Sequence, residues 1–390
     1  DELERQKKVE EEARKKHEEE ARQKKLAEEK KREEEEERLR KEKFEAERKK
    51  QEDEELKKKK LQTELAAKEE TERQSIIAKK KLEEEAAKKK ADEELEFVKW
   101  SAVEKEWYSY KKIIVDINTE INDVVKDNKE LKSFTFKSKR EIKKKMAQMS
   151  TSLAQLKKIM EDIKGILTTA FQFNEVAYKW LLNFMAKAIV NQAETEVIVN
   201  IQAANAIGIL ATHMMSNYTG FKDILLARII KKCPYLVGYT CNIDTEEGRR
   251  RMGWKYLENA NKWEDETAYA ERMGGICGIW SVVTQVRFGP TSNVHPYPIS
   301  NSWKMLARQV DTPTEKLTNA HFCVVAAWWD ISASKFLMAF GRQGDKLMEL
   351  IWNDWTNSVC DKRFAAAARL RLLGEEWRST GKAPGLKPLE

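Results

Sequence analysis

The chain holds 390 residues with a formal net charge of +7, and the excess lies wholly beyond residue 100: residues 1–100 carry 32 basic against 34 acidic side chains, residues 101–390 carry 41 against 32. Five scattered cysteines (Cys233, Cys241, Cys277, Cys323, Cys360) with no CxxC and no paired histidines exclude a disulfide framework and a zinc site. No signal peptide and no apolar run of membrane-spanning length is visible, so a soluble intracellular protein is expected.

The first element is a charged arm. From Asp1 to Lys164 there is neither Gly nor Pro, and residues 1–96 are dominated by Glu, Lys, Arg, Gln and Ala, all good helix formers. Glu33–Glu37 followed by Arg38, Arg40, Lys41 and Lys43 sets opposite charges three and four residues apart, each pair adding roughly 0.2–0.5 kcal/mol. Apolar residues (Leu3, Val9, Leu26, Leu39, Phe44, Leu56) are too sparse for a sustained heptad seam, although the seam improves from Leu61 to Phe97. A charge-stabilised single helix and a weak coiled coil both fit. Interleaved, cancelling charges exclude a nucleic-acid-binding arm.

Aromatic residues rise sharply at Trp100, Trp107, Tyr108 and Tyr110, where a packed body begins. Residues 101–130 read as helix, with apolar positions at Ile113, Ile114, Ile117, Ile121, Val124 and Val125, and Asn128 to Ser138 reads as a turn. Helices follow at about 139–166, 173–191, 200–218, 221–232, 245–257, 268–286, 299–310, 316–327, 330–340, 344–358 and 362–378. The turns between them carry Gly220, Pro234, Gly289–Pro290, Pro296–Pro298 and Pro313. Strand signals are weak throughout. The expected fold is all-α: a long charged helix or coiled coil over 1–97, a helical connection over 98–133, a HEAT-like α-solenoid over 134–378, and a tail from 379 to 390 whose Gly381, Pro384, Gly385 and Pro388 should fray.

Nothing in the body forms a catalytic constellation. HExxH, GxSxG, GxxxxGK[ST] and GxGxxG are absent, and His17, His213, His295 and His321 are isolated from one another. Gly274, Gly275 and Gly278 lie within an apolar run and read as close helix packing. Asp244, Glu246, Glu247, Glu264, Asp265 and Glu266 read as helix starts or surface turns. The basic residues stand out: Arg140 with Lys143–Lys145, Lys187 alone on an apolar helix, and Arg228, Lys231 and Lys232 closing another. Two readings stay open for them, ordinary helix C-terminal residues or the parts of an anion pocket. Trp328, Trp329, Trp352, Trp355 and Trp377 read as core, with one or two available to line a groove.

Several strings are distinctive: Gln192-Ala193-Glu194-Thr195-Glu196-Val197, Ile230-Lys231-Lys232-Cys233-Pro234, Asp265-Glu266-Thr267, Tyr269-Ala270-Glu271-Arg272-Met273-Gly274-Gly275, His295-Pro296-Tyr297-Pro298-Ile299-Ser300, His321-Phe322 leading to Trp328-Trp329-Asp330, and Ala367-Ala368-Arg369-Leu370-Arg371-Leu372-Leu373. From about Phe134 to Trp377 the chain resembles the C-terminal domain of the Gle-one (GLFG-lethal) mRNA export factor family. The resemblance implies a helical-repeat domain related to the middle domain of translation scaffolds, placed at the cytoplasmic face of the nuclear pore. It implies a non-catalytic activator of a DEAD-box RNA helicase, with inositol hexakisphosphate bridging the two proteins. Further implied partners are an FG-repeat nucleoporin segment and, through the coiled coil, other pore subunits or a second copy. Inositol phosphate ligands carry over to Lys187, Arg228, Lys231 and Lys232, with Arg140 and Lys145 on a looser alignment; Asn191 stands where a relative has His. RNA contact is expected to be indirect, and no membrane insertion is expected.

Two other readings compete. The basic body would suit a direct RNA-binding or translation-type scaffold indifferent to inositol phosphate, against which the basic residues lack interleaved exposed aromatics. The arm alone would suit a cytoskeletal tether.

Overall fold

The computed structural model describes residues 2–99, 101–286 and 295–390; Trp100 and the Gly289–Pro290 turn lie outside the described residues. The chain divides into two compact units, residues 1–96 and 97–390. The first is one helix, α1 (Glu2–Lys99), about 150 Å long at 1.5 Å per residue. It is held by its own charges: Lys15–Glu11, Lys41–Glu37, Arg38–Glu42 and Arg48–Glu52 are all i,i+4 ion pairs, and Leu26, Leu39, Phe44, Leu56 and Leu61 are exposed.

The second unit is helical apart from one two-residue hairpin among the described residues. Ser101 starts α2 (Ala102–Ile117) with a capping box: its hydroxyl accepts from Glu104 N, and the Glu104 carboxylate accepts from Ser101 N. A π-turn over Asn118–Asn122 and the short α3 (Asp123–Asp127) follow. The expected turn over 128–138 is instead the start of α4 (Lys129–Met146): Asn128 accepts from Glu130 N and Leu131 N, and Leu131, Thr135 and Ser138 face inward. The expected single helix over 139–166 is broken, because Ser152 caps a new helix, α5 (Leu153–Phe173). Next come α6 (Glu175–Val199), α7 (Ala203–Asn217), α8 (Phe221–Lys232) and α9 (Glu246–Arg251). The expected helix over 245–257 stops at Arg251, and Tyr256–Leu257 pairs with Lys262–Trp263 as an antiparallel hairpin.

Two helices organise the core. α10 (Glu266–Gln285) is buried along most of its length and packs against α6, α7 and α12 (Asn319–Leu350). α11 (Ser300–Val310) lies against α10 and α12, and α13 (Ala365–Thr380) covers α12. The glycines of α10 act as the sequence suggests. A Cβ on Gly275 would stand 2.3 Å from the Ala193 carbonyl oxygen of α6, so only hydrogen lets these helices approach. The helices expected over 316–327 and 330–340 run together, whereas the break expected after residue 340 is found at Gly341, whose φ of 51° and ψ of −130° are not helical, so α12 is two helices meeting at a kink. By length and composition the Asn319–Trp355 stretch is apolar enough to cross a membrane. Here that character is core: Trp328, Trp329 and Phe336 are fully buried. Trp355 and Trp377 are buried as well, and half-buried Trp352 lies against Gly374, so the tryptophan-rich end is packing.

The tail from Ser379 does not fray. Glu390 N donates to Thr151 O at 3.0 Å, Leu153 N donates to Glu390 O, Ser334 N donates to Pro384 O, and Asn205 and Gln202 bond the Lys387 backbone. Ala383, Leu386 and Leu389, three residues apart, pack on the core, so proline and apolar side chains share the segment without conflict.

Two glycine substitutions separate packing from propensity. Gly165 on α5 has open space around its Cβ position, so Gly165→Ala gains helix propensity and stabilises the chain by up to about 1 kcal/mol. Gly275→Ala gains the same propensity but must push α6 away, a net loss of about 1–3 kcal/mol by denaturant titration of the full chain.

Candidate anion-binding site

The C-terminal half of α8 builds the centre of the site. Leu225, Leu226, Ile229 and Ile230 bury one face of that helix, and Arg228 is drawn in with them until only 7% of it is exposed. Its Nε and Nη2 both donate to Asn183 Oδ1 of α6, at 3.0 and 2.7 Å. A buried guanidinium normally finds a carboxylate, because an uncompensated charge is costly to desolvate. Among the described residues Arg228 has none within ion-pair distance, and neither do its neighbours Lys187, Lys231 and Lys139.

The electrostatics record the crowding. Burial pushes Arg228 down to about 10, so it stays charged at neutral pH. Lys187 is pushed down to about 8, by burial first and then by Arg228, Lys231 and Lys139. Lys231 is lowered by burial, then by Arg228 and Lys232. Four cations from α4, α6 and α8 thus face one another with no internal anion.

The six residues singled out from sequence fare differently. Lys187, Arg228 and Lys231 come together. Lys232 adjoins them, but its ammonium lies 3.5 Å from Glu194. Arg140 is exposed on α4, one position beyond Lys139. Lys145 forms a 2.8 Å ion pair with Asp162 of α5 and serves as a tie between helices. Asn191 is exposed one turn beyond Lys187. Lys139 was missed; its ammonium sits over the rings of Phe136 and Phe184, at 5.2 and 5.5 Å. The signal for it was available, since Lys139 and Phe136 are three residues apart and share a helix face.

Beside the cluster lies a buried ionic network. Arg272 of α10, 4% exposed, grips Glu264 through Nε (3.1 Å) and Nη2, reaches Glu194 of α6 through Nη1 (2.9 Å), and donates to Gly253 O (2.9 Å). Lys255 adds its ammonium to Glu194 at 3.0 Å and its backbone N to Glu264 at 2.7 Å. The sequence reading of Glu264 as a surface residue is therefore corrected: it is buried, as a partner of Arg272. His321 is structural. His321 is pushed down to about 3 by burial, and its Nδ1 accepts from Thr318 N at the start of α12.

Comparison with known proteins bears on this geometry. Residues 112–352 match the family model for GLE1-like protein. The chain is 39% identical over 281 residues to mRNA export factor GLE1 of Saccharomyces cerevisiae, covering 71% of this chain and 52% of that protein. It is 30% identical over 273 residues to mRNA export factor gle1 of Schizosaccharomyces pombe, covering 68% and 55%. The chain thus spans about half the length of the curated relatives it matches. Among solved structures, a singly substituted S. cerevisiae Dbp5 C-terminal domain bound to Gle1 and IP6 contains a chain matching with a TM-score of 0.72 at 37% identity, over 76% of this chain and 99% of that one. A counterpart in which Gle1 also carries a substitution matches equally well.

The network makes two expectations. Arg272→Met leaves two buried carboxylates without their main partner and lowers stability by about 3–5 kcal/mol in denaturant titration. Burial alone would raise the Glu194 pKa, but Lys232, Lys255 and Arg272 outweigh it and hold the carboxyl below its ordinary 4.5. A depressed folded-state value means that this stabilisation is complete above about pH 4.5 and is lost as pH falls through the folded value. Glu194→Gln should therefore be less stable at neutral pH and lose less on acidification than the parent, as followed by thermal unfolding between pH 6 and 3.

Proposed function

Since the chain belongs to the GLE1-like protein family, we propose that it stimulates a DEAD-box RNA helicase in mRNA export at the cytoplasmic face of the nuclear pore, catalysing no reaction itself, with inositol hexakisphosphate held in the Lys139–Lys187–Arg228–Lys231 cluster as the bridge between the two proteins. The observation that carries this reading is Arg228, buried beside Lys187 and Lys231 with no carboxylate within ion-pair distance among the described residues. Two fungal relatives are named as mRNA export factors, and the matching solved complex joins a relative to the Dbp5 C-terminal domain and IP6.

The physical role of the ligand follows from the charges. Unliganded, the cluster repels any other basic surface; a polyphosphate converts that repulsion into attraction, so docking depends on the ligand. Arg228 is fixed by Asn183 and offers a preset guanidinium, while Lys187, Lys231 and Lys139 are mobile point charges that adapt to phosphate positions. Lys232 joins only by sharing itself with Glu194. Arg140 supplies further charge on the α4 side, and Lys145, tied to Asp162, would have to break that pair to take part. The reading extends to an FG-repeat nucleoporin segment bound to the same unit and to pore subunits, or a second copy, engaged along α1.

The test is the RNA-stimulated ATPase of the helicase with this chain, with and without inositol hexakisphosphate. Ligand-dependent stimulation should appear with the parent and vanish with Lys187→Gln/Lys231→Gln, whose solvent-open side chains leave the fold intact. Calorimetry should show ligand affinity falling by about a hundredfold or more, two charge-assisted contacts being lost. No stimulation under either condition would overturn the activator reading. A second outcome concerns protons. A polyanion beside Lys187 raises its pKa from about 8, so binding between pH 8 and 9 takes up protons, seen as binding heats that scale with buffer ionisation heat. Lys187→Gln should take up fewer protons than the parent under the same conditions, and equal buffer dependence in the two would remove Lys187 from the ligand set.

A further inference from the structure

The surface of α4 that faces solvent carries more than the anion cluster needs. Lys132, Phe136, Lys139 and Lys143 recur at i, i+4, i+7 and i+11 and therefore lie along one face of the helix, with Lys129 and Arg140 flanking it; Glu130 and Glu141 fall on other sides. None of these cations forms an ion pair among the described residues. In their midst Phe136 is 42% exposed. Its ring stacks on Trp180 of α6 (6.1 Å between centroids), and Trp180 stacks on Phe184 (6.0 Å, 10° between planes). On α6 itself Trp180, Phe184 and Lys187 repeat the pattern of ring and charge at i, i+4 and i+7. At this face one exposed aromatic, Phe136, does stand among the basic residues.

We infer that this α4–α6 face binds single-stranded RNA, its lysines and Arg140 following the phosphates while a base stacks at Phe136. Unpaired cations around an exposed ring, itself backed by half-buried Trp180, suit a strand with accessible bases, since every base has a π-face whatever its sequence. A duplex hides its bases and could use only the cations. An acidic peptide would use the cations too, but it offers a planar group to the rings only at occasional side chains. From Lys132 to Lys143 the strip runs about 17 Å. Lys139, whose ammonium lies over Phe136 and Phe184, is placed to move from ring to phosphate as a base takes its position. The strip ends at Lys187 and so abuts the polyanion cluster, but the inference stands on the exposed ring and does not depend on the helicase reading.

The experiment is fluorescence anisotropy of labelled dodecauridylate with the full chain, titrated in about 50 and about 200 mM salt. Binding is expected at the lower salt and weaker at the higher. Phe136→Ala should weaken it about tenfold while lowering the thermal midpoint by only a few degrees, and Phe136→Trp should restore it. Lys132→Gln/Lys143→Gln should lower the salt slope by about 1.4, two single-strand phosphate contacts being lost. No binding at the lower salt, equal binding by Phe136→Ala, or equal competition by a duplex of the same length would each overturn the inference. Tighter binding of oligothymidylate than of oligouridylate would overturn the assignment to RNA. Loss of helicase capture in Phe136→Ala with RNA binding intact would give the face to a protein instead.

Discussion

The Arg272 guanidinium is the constraint on which the second unit depends. It sits buried in the second turn of α10, where a charge is expensive, and it is tolerable only because Glu264, Glu194 and the Gly253 carbonyl meet it from three directions. Each partner comes from a different part of the chain: α6, the turn after α9, and the segment after the hairpin. Satisfying one side chain therefore fixes the relative positions of all of them, with far more angular definition than apolar packing between smooth helix faces provides. Lys255 and Lys232 extend the same network to the end of α8.

That fixation explains how the anion cluster survives. Lys187, Arg228, Lys231 and Lys139 repel one another, and left to themselves α6 and α8 would relax to spread them. The network at Glu194 clamps α6 about two turns beyond Lys187 and holds the end of α8 through Lys232. Internal carboxylates thus neutralise a second rank of cations while leaving the first rank without partners. A fold that stores repulsion at one face releases it when an anion arrives, so the cost of holding the empty cluster together reappears as ligand affinity.

Much of this was legible in the sequence where the signal was local. The uninterrupted arm and the helical character of the body follow from composition and spacing. The α10 glycines read as close packing because they interrupt an apolar run, and the cations closing α8 announce themselves by density. What failed was non-local or ambiguous. Asn128 reads equally as a turn residue or a helix cap, and only the burial of Leu131 and Thr135 decides. The helix expected through 257 ends early because Gly253, at φ 79°, turns the chain and Trp254 N donates back to Arg249 O, a stop signal that the sequence did carry. Glu194 and Arg272 are 78 residues apart, so their strings could be recognised as distinctive before anything showed that they touch. Lys139 was overlooked in a lysine-rich helix, since what distinguishes it is the pair of rings beneath it.

The arm has a mechanical consequence. Among its described side chains α1 is held turn by turn, through backbone bonds and short-range ion pairs such as Lys41–Glu37. Pulled from its ends, such a helix gives way progressively, each residue lengthening from about 1.5 Å to about 3.4 Å. Its 98 residues can therefore lengthen from about 150 Å to more than twice that span, and the broken pairs reform when the load is removed. As a single helix α1 absorbs strain along its length as extension, a compliance that pairing with a second copy would stiffen.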